Sequence, residues 1–368
     1  MPSLDQHYTV LHERTIQVRP GLEGTATERG LLGALLRRKI RLRGQPSPAA
    51  CLRPMLPVVA VGLVALVALS YLVEALRRQP VPPERLDWTP HLAVAYVDLG
   101  GLRLRYVTAG RGPALVLLHT LRTQLDMFHK IIPALAEHFR VYAVDFPGHG
   151  YSDIPSAEYT PELFRSAVER FLERLDIDNA LVVGESIGGS TALLLAARHN
   201  PRVRGVVAIN AYDYDRGRGL RRSSLLANVL FGMSNVPMIG GTFMRLRSLP
   251  IIRRVLQGGL HRKESLPDGL ARELYAVGNR RGHYRALMSL VRHWPEWERA
   301  REEYGSVDRP VLLLYGEYDW SRPAEREANR RAVPGAEMRT VEGGGHFLAL
   351  DAPDAVVRSV LEFAQATT

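Results

Sequence analysis

The sequence predicts an α/β protein, a mainly parallel eight-stranded sheet with helices on both faces, preceded by one transmembrane helix. Three observations carry this reading. From about residue 89 onward, short apolar runs alternate with helical patterns, the order that builds parallel sheets covered by helices. Residues 54–73 carry no charge over 20 positions. Residues 181–195 read LVVGESIGGSTALLL, with a serine between glycines where a strand-like run gives way to a helix-like one.

Residues 1–53 are polar and Arg-rich, with the basic run Arg37, Arg38, Lys39, Arg41 and Arg43, and read as a disordered cytoplasmic tail. The uncharged segment that follows is, as a helix, about as long as the ~30 Å hydrocarbon layer is thick. A membrane anchor is the leading reading; a buried core helix and a cleaved signal peptide, with Ala68-Leu69-Ser70 as cleavage site, are the alternatives. Basic residues cluster before the segment, whereas Arg77, Arg78 and Arg85 follow it. The positive-inside rule therefore puts the N-terminus in the cytoplasm and the C-terminal part outside, or secreted if the segment is removed. Residues 74–88, with Pro80, Pro82 and Pro83, read as a stiff linker holding the next domain off the bilayer.

Length and composition bound what that domain does. A chain of 368 residues, 46% hydrophobic, buries a full-sized core. Its one cysteine, Cys51, excludes an internal disulfide framework. No Cys/His cluster with metal-ligand spacing, phosphate-binding glycine loop or internal repeat is present, so an enzyme without a cofactor fits from the outset.

Strands are expected at residues 93–99, 102–108, 114–119, 141–145, 180–183, 205–210, 310–315 and 337–341. Helices are expected at 124–138, 161–175, 190–199, 324–332 and 352–363. Leu99-Gly100-Gly101 marks a hairpin, hence an antiparallel start. Open α/β sheets bind ligands beyond the carboxyl ends of their strands. Those positions hold His119, Asp145, Ser186, Asp319 and His346. Serine, acid and histidine thus occur in chain order. Asp213 and Asp215, after the preceding strand, are rival acids.

The segments LVLLHTLRTQ (115–124), VYAVDFPGHGYSD (141–153), LVVGESIGGSTALLLA (181–196), PVLLLYGEYDWSRP (310–323) and GGGHFLALDAP (343–353) together resemble the α/β-hydrolase fold family. The resemblance covers about residues 90–368 and is to its capped branch of serine esterases, C–C hydrolases and cofactor-free haloperoxidase-like enzymes. It implies Ser186 as nucleophile, His346 as base and Asp319 as the acid that orients the base. It also implies an oxyanion hole from the backbone N–H groups of Ile187 and, by position, Leu121. Here the chain departs from the family's usual His-Gly with His119-Thr120, which puts the shape of that loop and the second donor in question. Relatives that cleave epoxides or carbon–halogen bonds carry Asp at the serine's position, so Ser186 implies acyl chemistry.

The resemblance also implies a helical cap inserted at about 212–305 within an outer domain spanning 89–368. Helical patterns occur there at 223–230, 270–277 and 284–294. From residue 216 to 300 there are 16 basic against five acidic residues, so the cap concentrates the chain's net charge of +10. A basic roof on a membrane-tethered domain suits anionic headgroups or acidic substrates. No nucleic-acid reading module accompanies it, so no nucleic-acid partner is expected. Leu225, Leu226, Leu230, Phe231, Met233, Met238, Phe243, Met244 and Leu246 supply apolar surface for an acyl pocket or for the cap's own core. Two function classes follow: a membrane-anchored serine hydrolase acting on an ester or related acyl bond of an apolar, lipid-like substrate, with C–C hydrolysis as a variant; and a ligand-binding module that keeps the fold without catalysis.

Overall fold

The computed structural model describes residues 55–367. The basic tail and Cys51 lie outside the described residues. The chain divides into two compact units, Met1–Val61 and Gly62–Thr368. Of the first, only the start of helix α1 (Met55–Ala75) is described.

A two-stranded antiparallel ribbon, β1 (Arg85–Leu86) and β2 (Thr89–Ala93), precedes the main sheet. That sheet comprises β3 (Ala95–Asp98), β4 (Arg103–Ala109), β5 (Ala114–Leu118), β6 (Arg140–Val144), β7 (Ala180–Glu185), β8 (Val203–Ile209), β9 (Val311–Gly316) and β10 (Glu337–Val341). Its spatial order is β10-β9-β8-β7-β5-β6-β4-β3. The pairs β3/β4 and β4/β6 are antiparallel and all others parallel. The antiparallel start rests on the Gly100-Gly101 turn, where both residues have positive φ, at 75° and 86°, and the Asp98 carboxylate accepts from the Gly101 N–H at 2.7 Å. All eight expected strands of the sheet are present; the ribbon, only two to five residues a side, has too little alternation to announce itself.

The central strands are apolar on both faces because both faces are covered. Val116, Leu118 and Val182 point into a core completed by α3 (Pro161–Arg174) and α4 (Ile187–Ala197). Leu115, Leu117, Leu181 and Val183 point the other way, toward α2 (Ile132–Ala136) and α13 (Pro353–Ala366). Two-residue periodicity sends neighbours to opposite cores. Helix α4 is buried along its whole length, which explains its uniformly small and apolar composition.

The helix expected at 124–138 is broken. A 3₁₀ turn at Leu125–Phe128 comes first and α2 follows. The Leu125 N–H is drawn to the Asp145 carboxylate at 2.7 Å and Asp126 to Arg105 at 2.8 Å, contacts that override helical preference.

Between β8 and β9 the chain forms the cap: α5 (Leu225–Gly232), α6 (Ile239–Arg245), α7 (Leu249–Gln257), α8 (Asp268–Val277), α9 (His283–Arg292) and α10 (Trp294–Arg299). The helix expected at 284–294 is α9, ending at Arg292, and α10 begins at Trp294 with Pro295 in its first turn. Helices α11 (Pro323–Ala332) and α12 (Leu348–Asp351) flank the last strand.

The reading of 74–88 as a spacer is corrected. Arg77 donates through Nη2 to the carbonyls of Arg245 and Arg247, both at 2.7 Å, and through Nη1 to Asn279 at 2.9 Å. Glu74 accepts from Arg247 at 2.7 Å, and Ser70 Oγ accepts from Arg245 Nε at 2.9 Å. The Arg245 guanidinium lies 3.8 Å from the Tyr71 ring centroid. The end of α1 is thus fastened to the cap by charged groups that a free linker would leave in water.

Candidate active site

The order β6-β5-β7 makes a switch point: the chain leaves β5 on one side and β7 on the other, so the loops after these two strands face each other across a crevice. Ser186 stands on one loop and residues 119–123 form the other. Ser186 has φ 59° and ψ −116°, a strained geometry for a residue with a side chain, and sits directly at the N-terminus of α4. The flanking glycines are required by space. A Cβ on Gly184 would lie 2.1 Å from the Gly188 carbonyl oxygen, and one on Gly188 would lie 2.1 Å from that of Leu118.

Ser186, His346 and Asp319 are brought together. His346 Nε2 lies 2.9 Å from Ser186 Oγ, and His346 Nδ1 lies 2.5 Å from Asp319 Oδ1. Both Ser186 and His346 are 1% exposed. Burial alone would raise the Asp319 carboxyl, but His346 and the Ser321 hydroxyl and N–H outweigh it, so the group stays below its ordinary value. Trp320 stacks on the His346 ring with centroids 3.7 Å apart and planes 11° from parallel. Asn210 ties the loop down, donating to the carbonyls of Gly345 at 3.0 Å and His346 at 2.9 Å while accepting from the Gly316 N–H. The ring is therefore held on its face, its Nδ1 edge and its backbone.

The rival acids are elsewhere. Asp213 accepts from Tyr304 and Asn329, each at 3.0 Å, and burial pushes its carboxyl up to about 6. Asp215 pairs with Arg222 at 2.9 Å. His119 and Asp145 are structural braces. His119 Nε2 accepts from the Phe146 N–H at 3.0 Å, and Nδ1 lies 2.8 Å from the Thr120 carbonyl; burial lowers its pKa, so the ring is neutral and Nδ1 is the donor. Asp145 accepts from the Leu125 and Tyr151 N–H groups.

Thr120 does not need the unusual dihedral that its position suggested. The left-handed residue of this loop is Arg122, at φ 63°. The Leu121 N–H donates to no other group among the described residues, and neither does that of Ile187. Both belong to segments that flank Ser186.

Sequence reasoning missed Trp320, Asn210 and Glu185. Glu185 accepts from the Leu348 N–H at 2.5 Å and that of Ala349 at 3.2 Å, joining the serine turn to the histidine loop. Burial raises its carboxyl to about 8, with Asp351 and Asp319 adding to the effect against those two hydrogen bonds. The adjacency of Glu185 and Trp320 to predicted site residues was the available signal.

A narrow pocket opens beside Ser186. Its walls include Leu121, Leu220, Phe231, Leu256, Leu287 and Phe347, and its free volume is about 40 Å³. That is room for on the order of one to three waters. Of the cap side chains expected to line an acyl pocket or to form the cap's own core, Phe231 lines this pocket; Leu225, Met238 and Phe243 point outward, 81%, 56% and 42% exposed.

Comparison with known proteins agrees with this architecture. The family model for the alpha/beta hydrolase fold matches residues 113–239. Over 294 residues the chain is 26% identical to an uncharacterized protein of Mycobacterium tuberculosis, covering 73% of this chain and 80% of that one. Over 288 residues it is 26% identical to haloalkane dehalogenase 2 of the same organism, covering 75% and 98%. Among solved structures, a membrane phospholipase A described as a novel bacterial virulence factor superposes with a TM-score of 0.64 at 22% identity, over 92% of this chain and 99% of that one. The chain has the α/β-hydrolase fold.

Proposed function

We propose that this protein is a membrane-anchored serine hydrolase that cleaves an ester or related acyl bond of an apolar, lipid-like substrate through an acyl-enzyme. The observation that carries the reading is the continuous relay Ser186 Oγ, His346 Nε2, His346 Nδ1, Asp319 Oδ1, with links of 2.9 and 2.5 Å.

In this mechanism His346 takes the hydroxyl proton as Ser186 attacks the acyl carbon, and Asp319 stabilises the resulting imidazolium. The developing oxyanion is received by the N–H groups of Ile187 and Leu121, with the N-terminus of the 11-residue α4 adding a favourable dipole. Collapse transfers the proton from His346 to the leaving alcohol; water, activated by the same histidine, then releases the acid. A hydroxyl at position 186 favours acyl chemistry over displacement at a carbon–halogen bond, which proceeds through a carboxylate nucleophile.

The anchor is supported by α1, whose stretch Pro57–Ala75 is long and apolar enough to cross a bilayer and only 6% buried. Ser70, at the alternative cleavage site, is fully buried, which favours retention of the segment. The likeness to a membrane phospholipase A over 92% of the chain points to a lipid-like substrate. The positive-inside asymmetry of the flanking residues supports an orientation with the catalytic domain outside the cytoplasm.

The test is hydrolysis of 4-nitrophenyl esters of increasing acyl length by the detergent-solubilised full chain and its Ser186→Ala variant. A rate that drops about 10⁴-fold or more in the variant supports the reading. Equal rates in both sink it, and absence of ester hydrolysis in a folded wild type shifts the reading to C–C hydrolysis or ligand binding.

A further inference from the structure

The pocket beside Ser186 is lined mostly by apolar side chains, and among the described residues that line it one carries a charge. Arg122, from the loop after β5, lines it together with the nucleophile. The residue is partly exposed, but its Nη2 atom is sealed from solvent and has no hydrogen-bond partner among the described residues. It lies against Gly278 at the end of α8, where a Cβ would come within 3.1 Å of Nη2.

A guanidinium without a partner is costly to bury, and fixed hydrogen bonds normally relieve that cost. Here none does. Glu74, the carboxylate whose charge reaches Arg122, is already engaged by Arg247 at 2.7 Å and Arg77 at 3.1 Å. Burial first, then Arg247 and Arg77, push the Arg122 pKa down to about 9. The loop also holds Arg122 at φ 63°, a left-handed conformation that is strained for a residue with a side chain. Arg122 thus lines the pocket within electrostatic reach of Arg247 and Arg77, and one of its guanidinium nitrogens, packed against Gly278 of the cap, is left unsatisfied.

We propose that Arg122 binds an anionic oxygen group of the substrate, so that the preferred substrates are acyl esters carrying a phosphate or a carboxylate. A planar guanidinium meets either group with paired hydrogen bonds. The apolar walls take the acyl chain, and Arg122 fixes the charged end and hence the register of the ester over Ser186. This rests on the serine-hydrolase reading above and adds the substrate class to it. The two sources of such an anion are a glycerophospholipid headgroup and a small dicarboxylate hemiester.

The experiment compares kcat/KM of the full chain in detergent on three substrates, in wild type, Arg122→Gln and Arg122→Lys. The substrates are dioctanoylphosphatidylglycerol, the 4-nitrophenyl hemiester of adipic acid, and neutral 4-nitrophenyl hexanoate as the common reference. The anionic-to-neutral ratio is expected to fall about tenfold or more in Arg122→Gln, the range of a lost hydrogen bond to a charged group, and to recover in part in Arg122→Lys. A fall confined to the phospholipid identifies the headgroup as the source, one confined to the hemiester identifies the small carboxylate, and a fall in both supports the shared chemistry. An unchanged ratio on both, whatever the absolute rates, overturns the proposal. Should neither variant fold, competition on the wild type decides: dodecyl phosphate or dodecanoate inhibiting hexanoate hydrolysis at least tenfold better than dodecanol supports it, and equal inhibition overturns it. Failure of the underlying reading shows separately, as neutral-ester hydrolysis that survives Ser186→Ala.

Discussion

At the scale of single residues, burial and partners assign different work to chemically identical groups. Asp319 and Asp213 are both buried aspartates after neighbouring strands, yet one faces an imidazole and the other a phenol and an amide. Asp319→Asn is therefore expected to cut ester kcat by about 10⁴-fold, the cost of losing the tautomer that points Nε2 at serine. Asp213→Asn is expected to keep the pH profile and to change mainly thermal stability. Glu185 carries a pH signature. Its folded pKa is raised to about 8, above the ordinary value of 4.5, so between these values the folded state holds more protons than the unfolded one. Its contribution is fully present below about 4.5 and is lost as pH rises toward 8. Glu185→Gln removes that loss, and its melting temperature relative to wild type should climb by about several degrees between pH 5 and pH 8. A flat difference across that range would show that Glu185 is not protonated in the fold. Substituting Gly188 by Ala places a methyl 2.1 Å from the Leu118 carbonyl oxygen, and we expect destabilisation of about 2 kcal/mol or more together with loss of activity.

Between elements, two polar knots set the geometry. Arg105 on β4 is fully buried and pairs with Asp126 at 2.8 Å and Asp145 at 3.2 Å, while the Trp88 indole donates to Asp126 at 2.9 Å. Strand β4, the loop after β6, the 3₁₀ turn and the ribbon region meet at this guanidinium. Arg105→Met leaves two buried carboxylates without their cation, and chemical denaturation should register a loss of about 3–5 kcal/mol. The second knot joins the end of α1 to the cap through Glu74, Arg77, Arg245 and Arg247. It puts part of the cap's basic excess to structural use, which charge counting along the chain does not reveal. Arg77→Ala should lower stability by about 1–3 kcal/mol, read as a drop in melting temperature of the detergent-solubilised protein. An unchanged melting temperature would mean that the knot contributes nothing in solution.

For the whole molecule, the closed pocket and the fastened cap belong to one problem. The free space beside Ser186 is about 40 Å³, and the cap that supplies part of its walls is tied to the helix read as the membrane anchor. Outward-facing Leu225, Met238 and Phe243 give that cap an apolar surface. The proposed anchoring predicts that the full chain stays in the membrane fraction through an alkaline carbonate wash. Release into the soluble fraction would remove the anchor from the functional reading.

The sequence by itself determined the eight strands, most of the helices packed on them and the chain order of Ser186, a candidate acid and His346. These were legible because strand and helix periodicities are local and because the serine turn demands glycines within two residues of the nucleophile. Only the tertiary structure set Asp319 rather than Asp213 beside His346, broke the helix expected at 124–138, turned the linker into a docked segment and left Arg122 Nη2 without a partner among the described residues. Each of these depends on which distant groups meet in a low-dielectric interior, where one hydrogen bond or unpaired charge outweighs local preference.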